Sequence, residues 1–363
     1  MRPILGIRAA ERRRRAPRRR AAAERSPGPA AGRTGESHHA PRFAALARTQ
    51  ESRRLSYPAA HRPGGRPPDM RIVVVGLGLI GGSLAGACRK KFPKARIIGV
   101  TRSRAALATA KRKGWIHEGY RDLESAFRNA GPFLIILCTP VDTLKGFLLR
   151  LDRIASPGSI VTDAGSVKGF LVHWAEKRKW RRIHFVGAHP MAGSHEQGIR
   201  NANPDLFKGS TTFVTPANTK RGQSPKKGTA PFLHAVLKFW KQISSRVVVL
   251  SAGEHDRITA QISHLPHFLA SVLVTSVSEK ALPFASTGFL DTTRVAQGAG
   301  ELWVPILLEN QWEIRRVLSG FETRLAEFKK ILARKDGRRL LQLLKRAGVR
   351  RKRIKLISRG LLL

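Results

Sequence analysis

Short apolar runs of strand length recur along the chain from residue 70 onward, separated by stretches with helical spacing. The runs cover residues 72–75, 96–100, 132–140, 159–163, 183–187, 211–216 and 246–250. The stretches 83–91 and 105–113 are compatible with helices. Sequential strands joined by helices predict an α/β fold with a doubly wound sheet.

The pattern changes after residue 250, where strand signals become rare and the chain is predominantly helical through residue 332. Pro266 stands inside this region and predicts a local break or kink, because proline cannot donate the helical hydrogen bond. We therefore predict a sheet domain over 70–250 and a helical domain over 251–333. Residues 1–69 are predicted to be a disordered prefix, and 334–363 a basic tail.

The two ends carry much of the formal net charge of +44. The prefix is rich in Arg, Ala, Pro and Gly, and it has too little apolar surface to offset the entropy of ordering. A signal peptide is excluded by the missing apolar segment; a transit peptide and a misassigned start stay open, and we favour Met70 as the initiator. A basic nucleic-acid-binding protein also stays open, but without a nucleic-acid motif we expect no specific nucleic-acid partner.

Length and composition fit a two-domain protein of a reducing compartment. The 363 residues are 42% hydrophobic, which is enough for two cores. The two cysteines, Cys88 and Cys138, give no disulfide framework and no metal-ligand cluster, so we expect a cytoplasmic protein without a metal site. No apolar run reaches the ~18 residues of a membrane span, so we expect no membrane partner.

A glycine-rich turn, Gly76-Leu-Gly78-Leu-Ile-Gly81, directly follows the first apolar run. In dinucleotide-binding domains the first glycine makes the tight turn, the second admits the pyrophosphate and the third lets the helix pack on the strand. The helix N-terminus then receives the phosphate charge. The sequence therefore predicts a Rossmann-type domain. Its candidate cofactor-binding residues are Gly76, Gly78, Leu79, Ile80, Gly81, Thr101, Arg102, Ser103, Thr139 and Pro140.

The residues after the second run bear on the choice of cofactor. NAD enzymes usually carry an acidic residue there, whereas this chain reads Thr101-Arg102-Ser103-Arg104. A hydroxyl and two guanidinium groups can bind a 2′-phosphate, which a carboxylate would repel. We therefore favour NADP and leave NAD open, since both arginines also fit an ordinary basic surface.

His189 is the candidate acid/base group. It stands between Gly187 and Gly193 on a predicted loop, where the glycines let the backbone approach a ligand. A histidine titrates near neutral pH and can take the proton of a hydroxyl while the carbon loses hydride to a nicotinamide. Ser166 follows another strand and is predicted to lie in the same crevice, because the carboxyl ends of the strands converge there.

The predicted helical domain also places ionisable groups beside breaks in its helices. His264 and His267 are three residues apart and so lie roughly on one helical face. Each of these histidines, like Trp303, is compatible with a structural role when taken alone. Their coincidence favours a binding site.

Six motifs, in this order and spacing, resemble the prephenate and arogenate dehydrogenase family of tyrosine biosynthesis. They are residues 73–83, 163–168, 187–194, 263–267, 291–294 and 303–310. The resemblance covers about residues 70–332. It implies the oxidative decarboxylation of prephenate to 4-hydroxyphenylpyruvate with NAD(P). Arogenate, which would give tyrosine directly, stays an alternative substrate.

The resemblance also implies roles for individual residues. His189 would polarise the ring hydroxyl, Ser166 would orient His189, and Arg294 would hold a substrate carboxylate through a bidentate pair. The helical domain would form a homodimer. A β-hydroxyacid dehydrogenase or an imine reductase shares the glycine turn without requiring the other motifs, and stays a more remote alternative. The predicted substrate-binding residues are Arg294, His267, Ser263, His264, Trp303 and Ser194.

Overall fold

The computed structural model describes residues 70–128, 131–194, 196–217 and 230–358. The prefix predicted over 1–69 and the end of the predicted tail, 359–363, lie outside the described residues. The strands are β1 (Arg71–Val75), β2 (Arg96–Val100), β3 (Glu118–Tyr120), β4 (Leu134–Leu137), β5 (Ser159–Asp163), β6 (Ile183–Pro190), β7 (Thr211–Thr215) and β8 (Arg246–Val249). The α-helices are α1 (Leu79–Lys91), α2 (Arg104–Arg112), α3 (Leu123–Ala126), α4 (Leu144–Ile154), α5 (Gly169–Glu176), α6 (Ala230–Ile243), α7 (Ala252–Thr259), α8 (Leu265–Ser276), α9 (Thr287–Thr293), α10 (Gly300–Glu309), α11 (Gln311–Ala333) and α12 (Gly337–Ser358).

The strands form one eight-stranded sheet in the order β3-β2-β1-β4-β5-β6-β7-β8. Every neighbouring pair is parallel except β6 with β7. The predicted α/β fold with a doubly wound sheet is thereby confirmed. The strand order reverses between β1 and β4, whose following helices α1 and α4 cover opposite faces of the sheet. A ligand-binding crevice forms at such a switch point, at the carboxyl ends of the strands.

Both faces of the sheet are buried, because alternate residues of each central strand enter different cores. In β1, Ile72 and Val74 pack with α1 and α6, whereas Val73 and Val75 pack with α4 and α5. None of these four side chains is more than 2% exposed. Burial on both faces is why the strands appear in the sequence as continuous apolar runs.

Strand β6 runs through His189, so the loop predicted around this residue is wrong. The strand first pairs parallel with β5 and then antiparallel with β7, where His189 stands opposite Phe213. Where β6 changes partner, the backbone N–H of Ala188 donates to a side chain instead of to a strand. Its acceptor is the Oδ1 atom of Asp163, at the end of β5, over 3.0 Å. His189 is therefore held by ordered sheet backbone beside the crevice.

The helical domain begins with α7, and a π-helical turn over Ala260–His264 joins α7 to α8. The N–H of Leu265 donates to the carbonyl of Ala260, and Pro266 follows in the first turn of α8. The break predicted at Pro266 thus takes the form of a π turn, after which the helix continues. Single π turns recur at functional sites.

The segment predicted as a basic tail contains a long helix, α12, that its composition did not reveal. Lys335, with a φ of 51°, lies in the reversal after α11, and α12 packs against α11. The half-buried Leu340 and Leu343 share a helical face, which explains this packing. None of the described helices has both the length and the apolar character that a membrane crossing requires.

Candidate active site

The glycine turn between β1 and α1 shows the close approaches that require glycine. Gly76 has a φ of 91°, and a Cβ atom there would lie 2.6 Å from the carbonyl oxygen of Cys138. A Cβ atom on Gly81 would lie 1.7 Å from the carbonyl oxygen of Gly76. Nothing lies within 4 Å of a Cβ atom placed on Gly78, so open space remains above the turn.

This open space lies at the N-terminus of α1, which has no side-chain cap and no acidic residue in its first turn. The backbone N–H groups of Leu79, Ile80 and Gly81 have no acceptor inside the helix. They can donate to an anion, which the helix dipole also favours. The residues present therefore fit the pyrophosphate of a dinucleotide.

The loop after β4 closes the other side of the glycine turn. The Cγ2 atom of Thr139 lies 3.1 Å from the Cβ position of Gly76. Thr143 holds this loop, since its hydroxyl donates to the carbonyl of Pro140 over 2.6 Å and lies 2.8 Å from the hydroxyl of Thr139. The structure thus places Thr139 beside Gly76, and Pro140 follows it in the same loop.

The predicted specificity residues form the turn between β2 and α2. Ser103 caps α2 by accepting the N–H of Ala106 over 3.2 Å, and Thr101 accepts the N–H of Ser103 over 3.4 Å. Arg121, which the sequence did not single out, donates from Nε to the carbonyl of Arg102 over 3.3 Å. Among the described residues, neither Arg102 nor Arg121 has a carboxylate partner. The Arg121 guanidinium therefore lies beside the backbone of Arg102 at this turn.

His189 is buried and belongs to a chain of hydrogen bonds. Its Nδ1 atom lies 2.9 Å from Nε2 of His255, and Nδ1 of His255 lies 2.7 Å from Oδ1 of Asp256. The Asp256 carboxylate also accepts the backbone N–H groups of Lys168 and Gly169, over 2.8 and 2.7 Å. This chain joins β6, the start of α5 and the first helix of the helical domain.

A buried ion pair between Lys168 and Asp163 lies beside this chain, and both side chains are fully buried. Asp163 also accepts the N–H groups of Gly165 and Ala188, each over 3.0 Å. Burial lowers the pKa of Lys168, while the charge of Asp163 acts in the opposite direction. The pair ties the loop after β5 to the strand that carries His189.

Both linked histidines are neutral near neutral pH. Burial lowers the pKa of His189 well below its ordinary value of 6.5, and His255, Lys168 and His264 act in the same direction. Burial likewise lowers the pKa of His255 well below 6.5. A neutral imidazole keeps one lone pair and can act as a base.

The three serines predicted for the site make no hydrogen bond to His189 among the described residues. Ser166 is half-buried, and the bond that orients His189 comes from His255 instead. Ser194 is exposed, and its hydroxyl accepts the N–H of Glu196 over 3.1 Å. Ser263 is half-buried in the π turn. Their roles stay predictions.

His264, His267 and Trp303 come together as predicted. Asn310 connects them to the His189 chain, because its Nδ2 atom lies 2.9 Å from the carbonyl oxygen of Asp256 and 2.9 Å from Nδ1 of His264. The ring of His267 stacks on Trp303. Among the described residues, Nε2 of His264 and Nδ1 of His267 are buried without a hydrogen-bond partner. Buried polar atoms of this kind indicate contacts that a ligand or water completes.

Arg294 begins a 3₁₀ turn, Arg294–Gln297, that packs against α8. Gly298 after this turn lies close to the aromatic stack, because a Cβ atom there would lie 2.6 Å from Nε1 of Trp303 and 3.0 Å from Cε1 of His267. Arg294 is exposed and has no carboxylate partner within the described ranges. Its guanidinium is therefore available to an anionic ligand.

Comparison with known proteins covers both domains. Residues 84–249 match the family model described as prephenate dehydrogenase, nucleotide-binding domain. Residues 251–346 match the model described as prephenate dehydrogenase, dimerization domain. The prephenate dehydrogenase of Bacillus subtilis (strain 168) is 36% identical over 270 residues, which are 72% of this chain and 68% of that protein. The cyclohexadienyl dehydrogenase of Zymomonas mobilis is 29% identical over 278 residues, which are 75% of this chain and 91% of that protein.

Solved structures show the same architecture. The prephenate dehydrogenase from A. aeolicus, in complex with hydroxyphenyl propionate and NAD+, superposes with a TM-score of 0.71 at 30% identity, over 78% of this chain and 98% of that chain. The Synechocystis arogenate dehydrogenase gives a TM-score of 0.63 at 30% identity, over 78% of this chain and 100% of that chain. With both domain models matched and the glycine turn in place, this chain is a dehydrogenase that belongs to the prephenate dehydrogenase family.

Proposed function

We propose that this protein is a prephenate dehydrogenase that forms 4-hydroxyphenylpyruvate for tyrosine biosynthesis. The ring carbon that bears the hydroxyl loses its hydrogen, with the bonding electron pair, to the oxidised nicotinamide of the cofactor. The bond from the ring to its carboxylate breaks, carbon dioxide leaves, and that electron pair completes the aromatic ring. The oxygen keeps its proton as the product phenol, so atoms and charges balance without another reactant.

The observation that carries this proposal is the state of His189. The residue is 7% exposed, and its Nδ1 atom is held by His255. Its other ring nitrogen, Nε2, has no hydrogen-bond partner among the described residues. A substrate hydroxyl that donates to Nε2 gains electron density on its oxygen, which favours the loss of hydride from the adjoining carbon. A protonated imidazole would have no lone pair for this bond.

The helical domain supplies the other groups that a ring with two carboxylates needs. Arg294 can form a bidentate pair with one carboxylate. The unpartnered nitrogens of His264 and His267 offer polar contacts, and Trp303 offers an aromatic wall for the ring. Ser166, Ser194 and Ser263 are further candidates, which were predicted for the same pocket.

Prephenate is favoured as the substrate because the 36% identical relative is a prephenate dehydrogenase. Arogenate is the second candidate, since the similar Synechocystis structure is an arogenate dehydrogenase. The two molecules differ only in a keto or amino group on the side chain. Membership of this family decides against a β-hydroxyacid dehydrogenase or an imine reductase.

For the cofactor, the proposal is NADP in preference to NAD. The turn after β2 has no acidic residue, and the Arg121 guanidinium contacts the backbone of Arg102 there. Neither arginine has a carboxylate partner in the described part of the chain. A 2′-phosphate would complete this arrangement, because it can pair with guanidinium groups and would also meet the hydroxyl of Thr101. NAD is the alternative, since the A. aeolicus relative is seen with NAD+.

A homodimer through the helical domain is also proposed. Phe284 is 85% exposed and Trp312 is 76% exposed, and large apolar side chains of neighbouring helices are exposed with them. Apolar surface of this size is uncommon on a monomer, and the region matches a dimerization-domain model. Both cysteines are free, which supports a reducing compartment such as the cytoplasm.

The experiment is a steady-state assay of the purified full chain with prephenate and arogenate, each with NADP and NAD. The highest kcat/KM is expected for prephenate with NADP. If only arogenate is turned over, arogenate replaces prephenate as the proposed substrate and the family assignment stands. Reduction of neither cofactor by either substrate would contradict the proposed function.

A further inference from the structure

The length of the hydrogen bond between His189 and His255 does not identify the donor, because each imidazole can donate or accept. The surroundings of Asp256 decide the direction. Its Oδ1 atom accepts the N–H of Lys168, and its Oδ2 atom accepts the N–H of Gly169. A backbone N–H can only donate, so both carboxylate oxygens act as acceptors.

With Asp256 as an acceptor, the hydrogen of the His255 ring lies on Nδ1, which contacts this carboxylate over 2.7 Å. A neutral imidazole has one N–H group, so Nε2 of His255 carries the lone pair. Nδ1 of His189, 2.9 Å away, must then donate. The lone pair of His189 is left on Nε2, the nitrogen that has no partner among the described residues.

We propose that His255 is a positioning residue, anchored by Asp256, that holds His189 in the tautomer with hydrogen on Nδ1. This inference rests on the proposed function, because it is Nε2 that would accept the substrate hydroxyl. In the other tautomer Nε2 would carry hydrogen and could not accept. The bond made by one ring nitrogen of a histidine sets the state of the other, and here that bond is supplied by the helical domain.

The site is built to keep the His255 ring in one orientation. The ring is fully buried, and Phe213 meets it edge-on, with centroids 5.6 Å apart and planes at 84°. The ionisable groups around it are His189 from β6, Lys168 before α5, Asp256 of its own helix and His264 from the π turn.

The surroundings of Asp256 act on its pKa in opposite directions. Burial raises the pKa of Asp256, while the two N–H donors and the Lys168 charge act in the opposite direction. Protonation of either oxygen would weaken its hydrogen bonds to these donors. The carboxylate is therefore the form that the contacts of Asp256 select.

Nitrogen NMR of the free protein labelled in its histidines tests the tautomer without any substrate. The His189 signals are assigned by their loss in His189→Asn. Hydrogen on Nδ1 and a bare Nε2 are expected. Hydrogen on Nε2, or exchange between both nitrogens, would overturn the proposal whatever the substrate is.

A matched pair of variants tests the consequence for catalysis. His255→Gln keeps a side-chain oxygen that can accept from Nδ1 of His189, whereas His255→Leu removes the acceptor. The leucine variant is expected to lose about 10- to 100-fold in kcat, part of the roughly 10²- to 10⁴-fold that a positioned base supplies. The KM for prephenate should stay within about 2-fold, and glutamine should restore most of the kcat.

Two kinetic results would count against the positioning role. Equal losses in the glutamine and leucine variants would assign His255 to packing alone, and wild-type kcat in both would remove it from the site. If the wild-type chain oxidises neither prephenate nor arogenate, the proposed function fails, while the NMR result still decides the tautomer. The two failures are therefore distinguishable.

Discussion

The imidazole of His267 lies flat on the indole of Trp303, with ring centroids 3.6 Å apart and 10° between the ring planes. Trp303 belongs to α10, and Ile306 of the same helix enters the core that contains Val141, directly after the cofactor loop of β4. One helix therefore contacts both the histidine cluster and the cofactor side of the sheet. The substrate pocket is expected between these two surfaces.

Replacing Trp303 by leucine should weaken substrate binding, because the stack that orients His267 is lost. Aromatic pairs contribute about 0.5–1.5 kcal/mol beyond their buried area, which corresponds to an increase of about 2- to 12-fold in KM for prephenate. Trp303→Phe, which keeps a stacking ring, should retain most of the affinity. A lower melting temperature with unchanged KM in both variants would show that the stack only supports the fold.

Replacing Arg294 by glutamine should raise the KM for prephenate by about 10- to 150-fold, since a charge-assisted pair is worth roughly 1.5–3 kcal/mol. Arg294→Lys keeps the charge but cannot form the bidentate pair, so its KM should lie between those of the wild type and the glutamine variant. Steady-state kinetics at saturating cofactor measure both. If KM is unaffected while the melting temperature falls, Arg294 has a structural role.

The turn after β2 should determine the cofactor. The double change of Thr101→Asp and Arg102→Gln should reverse the preference from NADP to NAD, because a carboxylate accepts the ribose hydroxyls and repels the 2′-phosphate. Arg121→Gln alone should weaken NADP binding and leave NAD binding unchanged. The KM values for both cofactors decide this. A wild-type enzyme that is markedly better with NAD would show that these arginines are part of the general basic surface.

The buried histidines should make the fold sensitive to acid. Burial lowers the pKa of His264 from 6.5 to about 4, so the native state keeps this ring neutral while the unfolded chain binds a proton below 6.5. Its contribution to the free energy of unfolding is therefore complete above pH 6.5 and is lost as pH falls toward about 4. A shift of this size corresponds to about 3 kcal/mol.

Urea unfolding at a series of pH values tests this dependence. The free energy of unfolding should fall steadily below pH 6.5, the ordinary pKa of histidine. It should fall less steeply in His264→Asn, whose side-chain oxygen can still accept from Asn310. Parallel curves for the wild type and the variant would contradict the assignment. Burial also lowers the pKa values of His189, His255 and His267, so these residues contribute to the part of the loss that remains.

Most of the sheet could be predicted because buried parallel strands leave continuous apolar runs in the sequence. β3, at Glu118–Tyr120, was not predicted because it is only three residues long and half-buried. The loop predicted at His189 was wrong for a different reason. Glycine and proline around this residue are typical of a loop, but pairing with β7, a later segment, makes it a strand. Local sequence cannot show such a partner.

The candidate site was only partly predictable. His189 and His264 belong to motifs that resemble those of the family, whereas His255 and Asp256 look like ordinary residues of a helix start. His255 lies 66 residues from its partner His189 in the sequence, and only the fold brings the rings together. Ser166 was predicted to orient His189 from its motif, and the structure places His255 at that hydrogen bond.

The kcat of His189→Asn, measured at saturating prephenate and cofactor, tests whether His189 acts on the substrate hydroxyl. A positioned acid/base group is worth roughly 10²- to 10⁴-fold in rate, so kcat should fall by about that factor. The dissociation constant for the cofactor should stay close to that of the wild type, because the glycine turn is untouched. A variant that binds cofactor normally and turns over prephenate at the wild-type rate would remove His189 from the mechanism.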